Sequence, residues 1–126
     1  MKNINELPQH NRLGREGEAF ALEFVISKGY KVLHTNWRHG QKELDIVTTK
    51  DGMLVVFEVK TRFTDVWEEP KDAVRHRKQK NIVEAADAYV HKFNLDVEVQ
   101  FDIISLVAKG NSFELEHIPD AFYPTL

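Results

Sequence analysis

Residues 43–62 read ELDIVTTKDGMLVVFEVKTR. Asp51-Gly52 is a strong hairpin signal, because both residues tolerate the positive φ that a two-residue turn demands. β-forming residues flank it, so the segment predicts two antiparallel strands, from about Glu43 to Thr49 and from Met53 to Arg62. Leu54-Val55-Val56-Phe57 is apolar without alternation, which predicts a strand buried on both faces. Glu58 and Lys60 then interrupt the apolar run. Side chains two apart on a strand share a face, so Glu58 and Lys60 point the same way, as do Glu43 and Asp45. An unpaired charge beside a core strand is strongly unfavourable, and function is one reason to keep it there.

A two-residue turn pairs Lys50 with Met53. Counting back sets Asp45 opposite Glu58 and Glu43 opposite Lys60, with Cβ atoms about 4.5–5.5 Å apart. A three-residue loop with a bulge would shift this register by one. Two carboxylates that close repel unless a cation or proton lies between them. A hard divalent cation such as Mg²⁺ suits the position, since it takes oxygen ligands and needs only one or two carboxylates. A lone Glu-x-Lys is usually a solvated edge-strand pair or a cross-strand salt bridge. Asp45, separated from Glu58 by twelve intervening residues and on the partner strand of a hairpin, favours a metal site over a structural charge ladder.

Outward from the hairpin, Asn11 can cap a helix over about 12–28. Leu13, Gly17, Phe20, Ala21 and Phe24 recur at helical spacing, and Gly29 stands where a glycine stop is expected. Glu18 lies in mid-helix after Gly17, a residue that lets the helix approach the sheet closely. It is either a further member of the acidic site or an ordinary solvated glutamate. Tyr30 to Trp37 predicts a strand, and His39-Gly40 a turn. Thr64 to Lys71 is a loop punctuated by Pro70. Ile82, Ala85, Ala86, Tyr89 and Phe93 predict a helix over 73–93. A strand follows over Val97 to Val107, then a turn at Lys109-Gly110-Asn111, a short strand over Phe113 to Ile118, and an irregular tail after Pro119. The order is α-β-β-β-α-β-β, a single mixed α/β domain over 1–126 with its core at about 12–118.

The chain of 126 residues, 42% hydrophobic and 29% charged, suffices for one real core. With no cysteine, disulfides and thiolate metal sites are excluded. The N-terminus lacks a signal-peptide pattern, and the longest apolar run, Met53 to Phe57, is too short to cross a membrane. The expectation is a cytoplasmic protein without a membrane partner. A net charge of −3 argues mildly against a nucleic-acid partner, but net charge hides distribution. Arg75, Arg77, Lys78 and Lys80 form a dense cluster, and Arg12, Arg15, Arg38, Lys60 and Arg62 are candidates for the same face. Positive charge at a helix N-terminus opposes the helix dipole, which gives a polyanionic partner a physical rationale, although a solvated basic turn is the common outcome. The histidines show no metal-ligand spacing, and no glycine-rich phosphate loop exists. Trp37 and Tyr30 read as core and rim packing.

The pattern resembles the PD-(D/E)xK nuclease superfamily and, more closely, the YraN-like family of small predicted endonucleases. Gly14, Gly17, Glu18, Ala21 and Gly29 match the first-helix pattern, and Asn36-Trp37-Arg38 the first strand. Glu43-Leu44-Asp45-Ile46-Val47 matches the acidic hairpin, and Val56-Phe57-Glu58-Val59-Lys60-Thr61-Arg62 the signature strand. Lys78-Gln79-Lys80, Ala86 to Val90 and Phe101-Asp102-Ile103-Ile104 fit the later elements. Coverage is roughly 13–106, and one departure is Gln100, where the family usually has arginine. The resemblance implies a restriction-endonuclease-like fold, with a mixed central sheet flanked by helices, and an Mg²⁺- or Mn²⁺-dependent endonuclease. It implies that Asp45, Glu58 and the Val59 backbone carbonyl hold the metal, with Glu18 as a further ligand and Glu43 as an accessory group. Lys60 positions or activates the attacking water, a role in which partial desolvation would help; a plain salt-bridge partner for Glu43 or Glu58 is the alternative. Arg62, Arg75, Arg77, Lys78, Gln79 and Lys80 are the implied nucleic-acid contacts. The implied substrate is DNA, branched or irregular by similarity to junction resolvases, and a homodimer fits if two strands must be cut. The competing functions are a non-catalytic nucleic-acid-binding module and a structural domain whose charges form salt bridges.

Overall fold

Leu54, Val55, Val56 and Phe57 are all at most 4% exposed, so the strand that carries them is covered on both faces. Alternation divides them. Leu54 and Val56 pack into one apolar cluster, Val55 and Phe57 into another on the opposite side. A computed structural model describes residues 9–63 and 74–124 of the chain. Its elements are α1 (Gln9–Ser27), β1 (Lys31–His39), β2 (Lys42–Lys50), β3 (Met53–Arg62), α2 (His76–Lys92), β4 (Val99–Lys109) and β5 (Ser112–Phe122). This is the expected α-β-β-β-α-β-β order, a single domain of mixed α/β type. The loop expected over 64–71 lies outside the described residues.

The five strands lie in one sheet in the order β1-β2-β3-β4-β5. Only β3 and β4 pair in parallel; the other neighbours are antiparallel. A parallel pair needs a long crossover, and α2 lies within it. Ala21 and Val25 of α1 pack with Ile46, Val55, Phe57, Ile104 and Leu106. Ile82, Ala85, Ala86 and Tyr89 of α2 pack on the other face with Leu44, Val47, Leu54, Val56 and Ile103. The result is a helix, a sheet and a helix in three layers. Trp37 sits edge-on to Tyr89, with ring centroids 5.1 Å apart, and Tyr30 edge-on to Phe57 at 4.9 Å, which is the packing role expected of both.

Lys50 pairs with Met53 across Asp51-Gly52, where both φ angles are positive, so the two-residue turn sets the hairpin register. Gly29 ends α1 with φ +92°. Three boundaries differ from expectation by three residues or more. Helix α1 starts at Gln9, so Asn11 lies inside it and does not cap it. Helix α2 starts later, at His76, with Arg75 as its cap residue and no side-chain cap hydrogen bond. Strand β5 runs through Pro119 to Phe122, where an irregular tail was expected. Long-range contacts explain the last. Asp102 is fully buried at an irregularity in the β4–β5 register, and it accepts hydrogen bonds from His117 Nε2 at 2.7 Å and the Asp120 backbone N–H at 3.0 Å. This carboxylate holds the end of β5 in place, and an edge strand tolerates the proline. Among the described residues no helix is long and apolar enough to cross a membrane.

Candidate metal and nucleic-acid site

The pairing of β2 with β3 ends at Ile46–Phe57. Below that point β2 stays with β1 as far as Lys42, and β3 stays with β4 as far as Arg62. The sheet therefore splits, and an open cleft of about 700 Å³ begins where the strands part. The next residues after the last pair are Asp45 and Glu58. They form the floor of the cleft, 9% and 7% exposed respectively. Asp45 Oδ2 accepts the Val59 backbone N–H at 2.9 Å, which satisfies a donor left open by the split. Asp45 and Glu58 thus meet as the turn chemistry implied. Glu43 and Lys60 do not pair, because the ladder has already ended.

Two acids so placed cannot both ionise freely. Burial pushes the Asp45 carboxyl up to about 6; the Val59 N–H opposes that rise and the nearby Glu18 charge adds to it. Burial, then the Asp45 charge, raises Glu58 well above the ordinary carboxylate range. Their mutual hydrogen bonding lowers Asp45 and raises Glu58. The Lys78 ammonium, half-exposed, lies 3.6 Å from Glu58 Oε1 and favours its ionised form.

Helix α1 reaches the cleft because of a glycine. A Cβ on Gly17 would lie 2.2 Å from Thr61 Oγ1, so only glycine permits this approach. The next residue, Glu18, then faces the cleft. Glu18, Glu43 and Asp45 each offer an oxygen, and these atoms lie within 4.8 Å of one another. Asn36 Nδ2 donates to Glu18 Oε2 and to Glu43 Oε1, both at 3.2 Å. Arg38 holds the other oxygen of Glu43 at 2.8 Å. An all-oxygen carboxylate set, partly buried and mutually repelling, has the chemistry of a hard divalent cation site, so the residues present fit such an ion.

Lys60 reaches the cleft from its rim. It is exposed, which offers little of the desolvation expected for its role. Arg75, Arg77 and Lys78 line the cleft from the start of α2. The other expected nucleic-acid contacts do not join them. Arg62 is 8% exposed and donates to Ser105 Oγ at 3.3 Å, so it is part of the interior and not of an open basic face. Gln79 is half-buried and donates to the Val74 carbonyl at 2.8 Å, tying down the turn that precedes α2. Gln79 and Lys80 line a separate small groove with Glu84 and Tyr123, because successive helix residues turn by about 100°. The basic run is therefore divided between two surfaces. Asn36 was legible only as part of a family pattern, and Arg38, also a candidate for the basic face, is instead paired with Glu43. The available cue was an asparagine, disfavoured in strands, in the middle of a β-forming run.

Fold and site together define a small α/β protein with a split sheet, an acidic cleft floor and a basic rim. Residues 17–106 match the model of the uncharacterised protein family UPF0102, and the chain belongs to that family. It is 49% identical over 117 residues to a UPF0102 protein of Parabacteroides distasonis, covering 93% of this chain and 97% of the relative. A UPF0102 protein of Phocaeicola vulgatus is 46% identical over 120 residues, covering 95% and 99%. One from Flavobacterium psychrophilum is 41% identical over 117 residues, covering 93% and 98%.

Proposed function

We propose that the protein is a metal-dependent nuclease of the PD-(D/E)xK kind that hydrolyses phosphodiester bonds in DNA. The observation that carries this reading is the pair Asp45 and Glu58, buried together where β2 and β3 part, with Lys60 at the mouth of the same cleft. A purely structural charge ladder would not need two desolvated acids side by side. Asp45, Glu58 and the Val59 carbonyl would hold an Mg²⁺ or Mn²⁺ ion, with Glu18 and Glu43 beside them. Such an ion acidifies water, polarises a phosphate and offsets developing charge. Lys60 orients the attacking water or steadies charge on the phosphate. Arg75 and Arg77 draw the polyanion to a cleft whose floor is otherwise acidic.

The test joins calorimetric Mn²⁺ titration to single-turnover cleavage across duplex, flap, junction and single-stranded DNA, with RNA alongside. Asp45→Ala should lose both metal affinity and cleavage. Lys60→Ala should keep the cation but cut more slowly, by on the order of 10²-fold. A parent that binds no divalent cation at millimolar concentration, even with nucleic acid present, overturns the reading. Cation and DNA binding without cleavage would identify a non-catalytic binding module. Equal cleavage by Lys60→Ala would return that lysine to a structural role.

A further inference from the structure

Asn36 lies in the middle of β1 with φ +50°. It falls between the Thr35–Ile46 and Trp37–Leu44 pairs, directly across from Asp45. A strand residue in the left-handed region interrupts the extended backbone, and among residues with side chains asparagine enters that region most readily. Glycine would enter it more readily still. The side chain therefore has to justify its presence, and it does so by contact. One amide group has two hydrogens, and here they go to two carboxylates from different elements, Glu18 of α1 and Glu43 of β2. Those acids and Asp45 bring their oxygens within 4.8 Å of one another. Three carboxylates so close repel, and the positive end of the amide dipole lies against two of them.

We infer that Asn36 is a positioning residue: its left-handed backbone aims the amide at Glu18 and Glu43, and the amide sets those two carboxylates beside Asp45 so that together they can take a divalent cation. Asn36 acts through its two glutamates and does not itself touch the cation. This rests on the metal-dependent reading above. Groups that orient metal ligands affect an ion they never touch, and losing one commonly weakens binding about 10–100-fold.

The experiment uses the full chain and Mn²⁺ alone, by calorimetry, alongside melting without metal. Asn36→Gly permits the left-handed backbone and removes the side chain with its amide. Its metal-free melting temperature should stay near that of the parent, while Mn²⁺ affinity falls by roughly tenfold or more. In a Glu18→Gln, Glu43→Gln background the same substitution should make no further difference. Parent-like Mn²⁺ affinity in Asn36→Gly overturns the inference and leaves the nuclease reading standing. A full, additive loss in the double-glutamine background also overturns it, since Asn36 would then act elsewhere. A parent that binds no Mn²⁺ removes both. Should Asn36→Gly fail to fold, the parent supplies the readout. Its Asn36 side-chain amide resonances should shift as Mg²⁺ is added, and that shift should shrink in Glu18→Gln. Unmoved resonances overturn the inference.

Discussion

Asp45 and Glu58 are held together against their own charge, and this has a consequence for stability. Burial raises the Asp45 carboxyl to about 6 in the folded chain, against 3.8 for a free aspartate. Between those values the folded chain binds more protons than the unfolded one, so this group's contribution is full below pH 4 and is lost as pH rises past 6. Other carboxylates act in the opposite sense, which makes the difference between variants the proper readout. Without metal, the melting temperature of Asp45→Asn should gain on the parent as pH rises from 4 to 7. The gain should be on the order of 5 °C for one to two kcal/mol. Excess Mg²⁺ should erase it by stabilising the parent alone. A constant difference across that pH range would show that Asp45 does not titrate as described.

The elements meet through close approaches such as that of Gly17 on Thr61. In an exposed helix, alanine would stabilise by about 1 kcal/mol over glycine. Here a new Cβ meets the Thr61 Oγ1 at 2.2 Å and its Cγ2 at 3.0 Å, on a β-branched side chain with little freedom to turn away. The clash should win. Gly17→Ala should destabilise the protein by about 1–3 kcal/mol in urea denaturation, and Thr61→Ala should restore part of that loss. Because Glu18 follows Gly17, the single variant should also weaken Mn²⁺ binding. A Gly17→Ala chain as stable as the parent would mean that α1 does not lie so close to β3.

Across the whole molecule, charge is separated although its sum is only −3. Acids line the floor of the cleft, and Arg75, Arg77 and Lys78 approach from α2, while Lys80 faces a different groove. If the cleft takes nucleic acid, each phosphate contact contributes about 0.7–0.9 to the salt slope. Replacing Arg75 and Arg77 together by alanine should flatten that slope by about 1.5. Lys80→Ala should leave it unchanged. Fluorescence anisotropy over 50–200 mM salt would measure both. Equal effects at Arg77 and Lys80 would contradict the division of the basic run.

Much of this was legible in the sequence because it is local. Asp51-Gly52 specifies a two-residue turn, the turn specifies the register, and the register brings Asp45 to Glu58 without any tertiary information. The apolar run over 54–57 declared a strand covered on both sides. The close approach at Gly17 could be suspected from a glycine in mid-helix, but its partner Thr61 could not be named. What remained hidden depends on where pairing stops. The ladder ends at Ile46–Phe57, so Glu43 turns to Arg38 and Asn36 and not to Lys60. The extension of β5 past Pro119 depends on a buried carboxylate eighteen residues away in the chain. Arg62 and Lys80 carry the same charge as Arg75 and Arg77, and composition cannot tell them apart. Burial against Ser105 and the turn of a helix do so, because a charge can serve a cleft only where the packed elements let it face one.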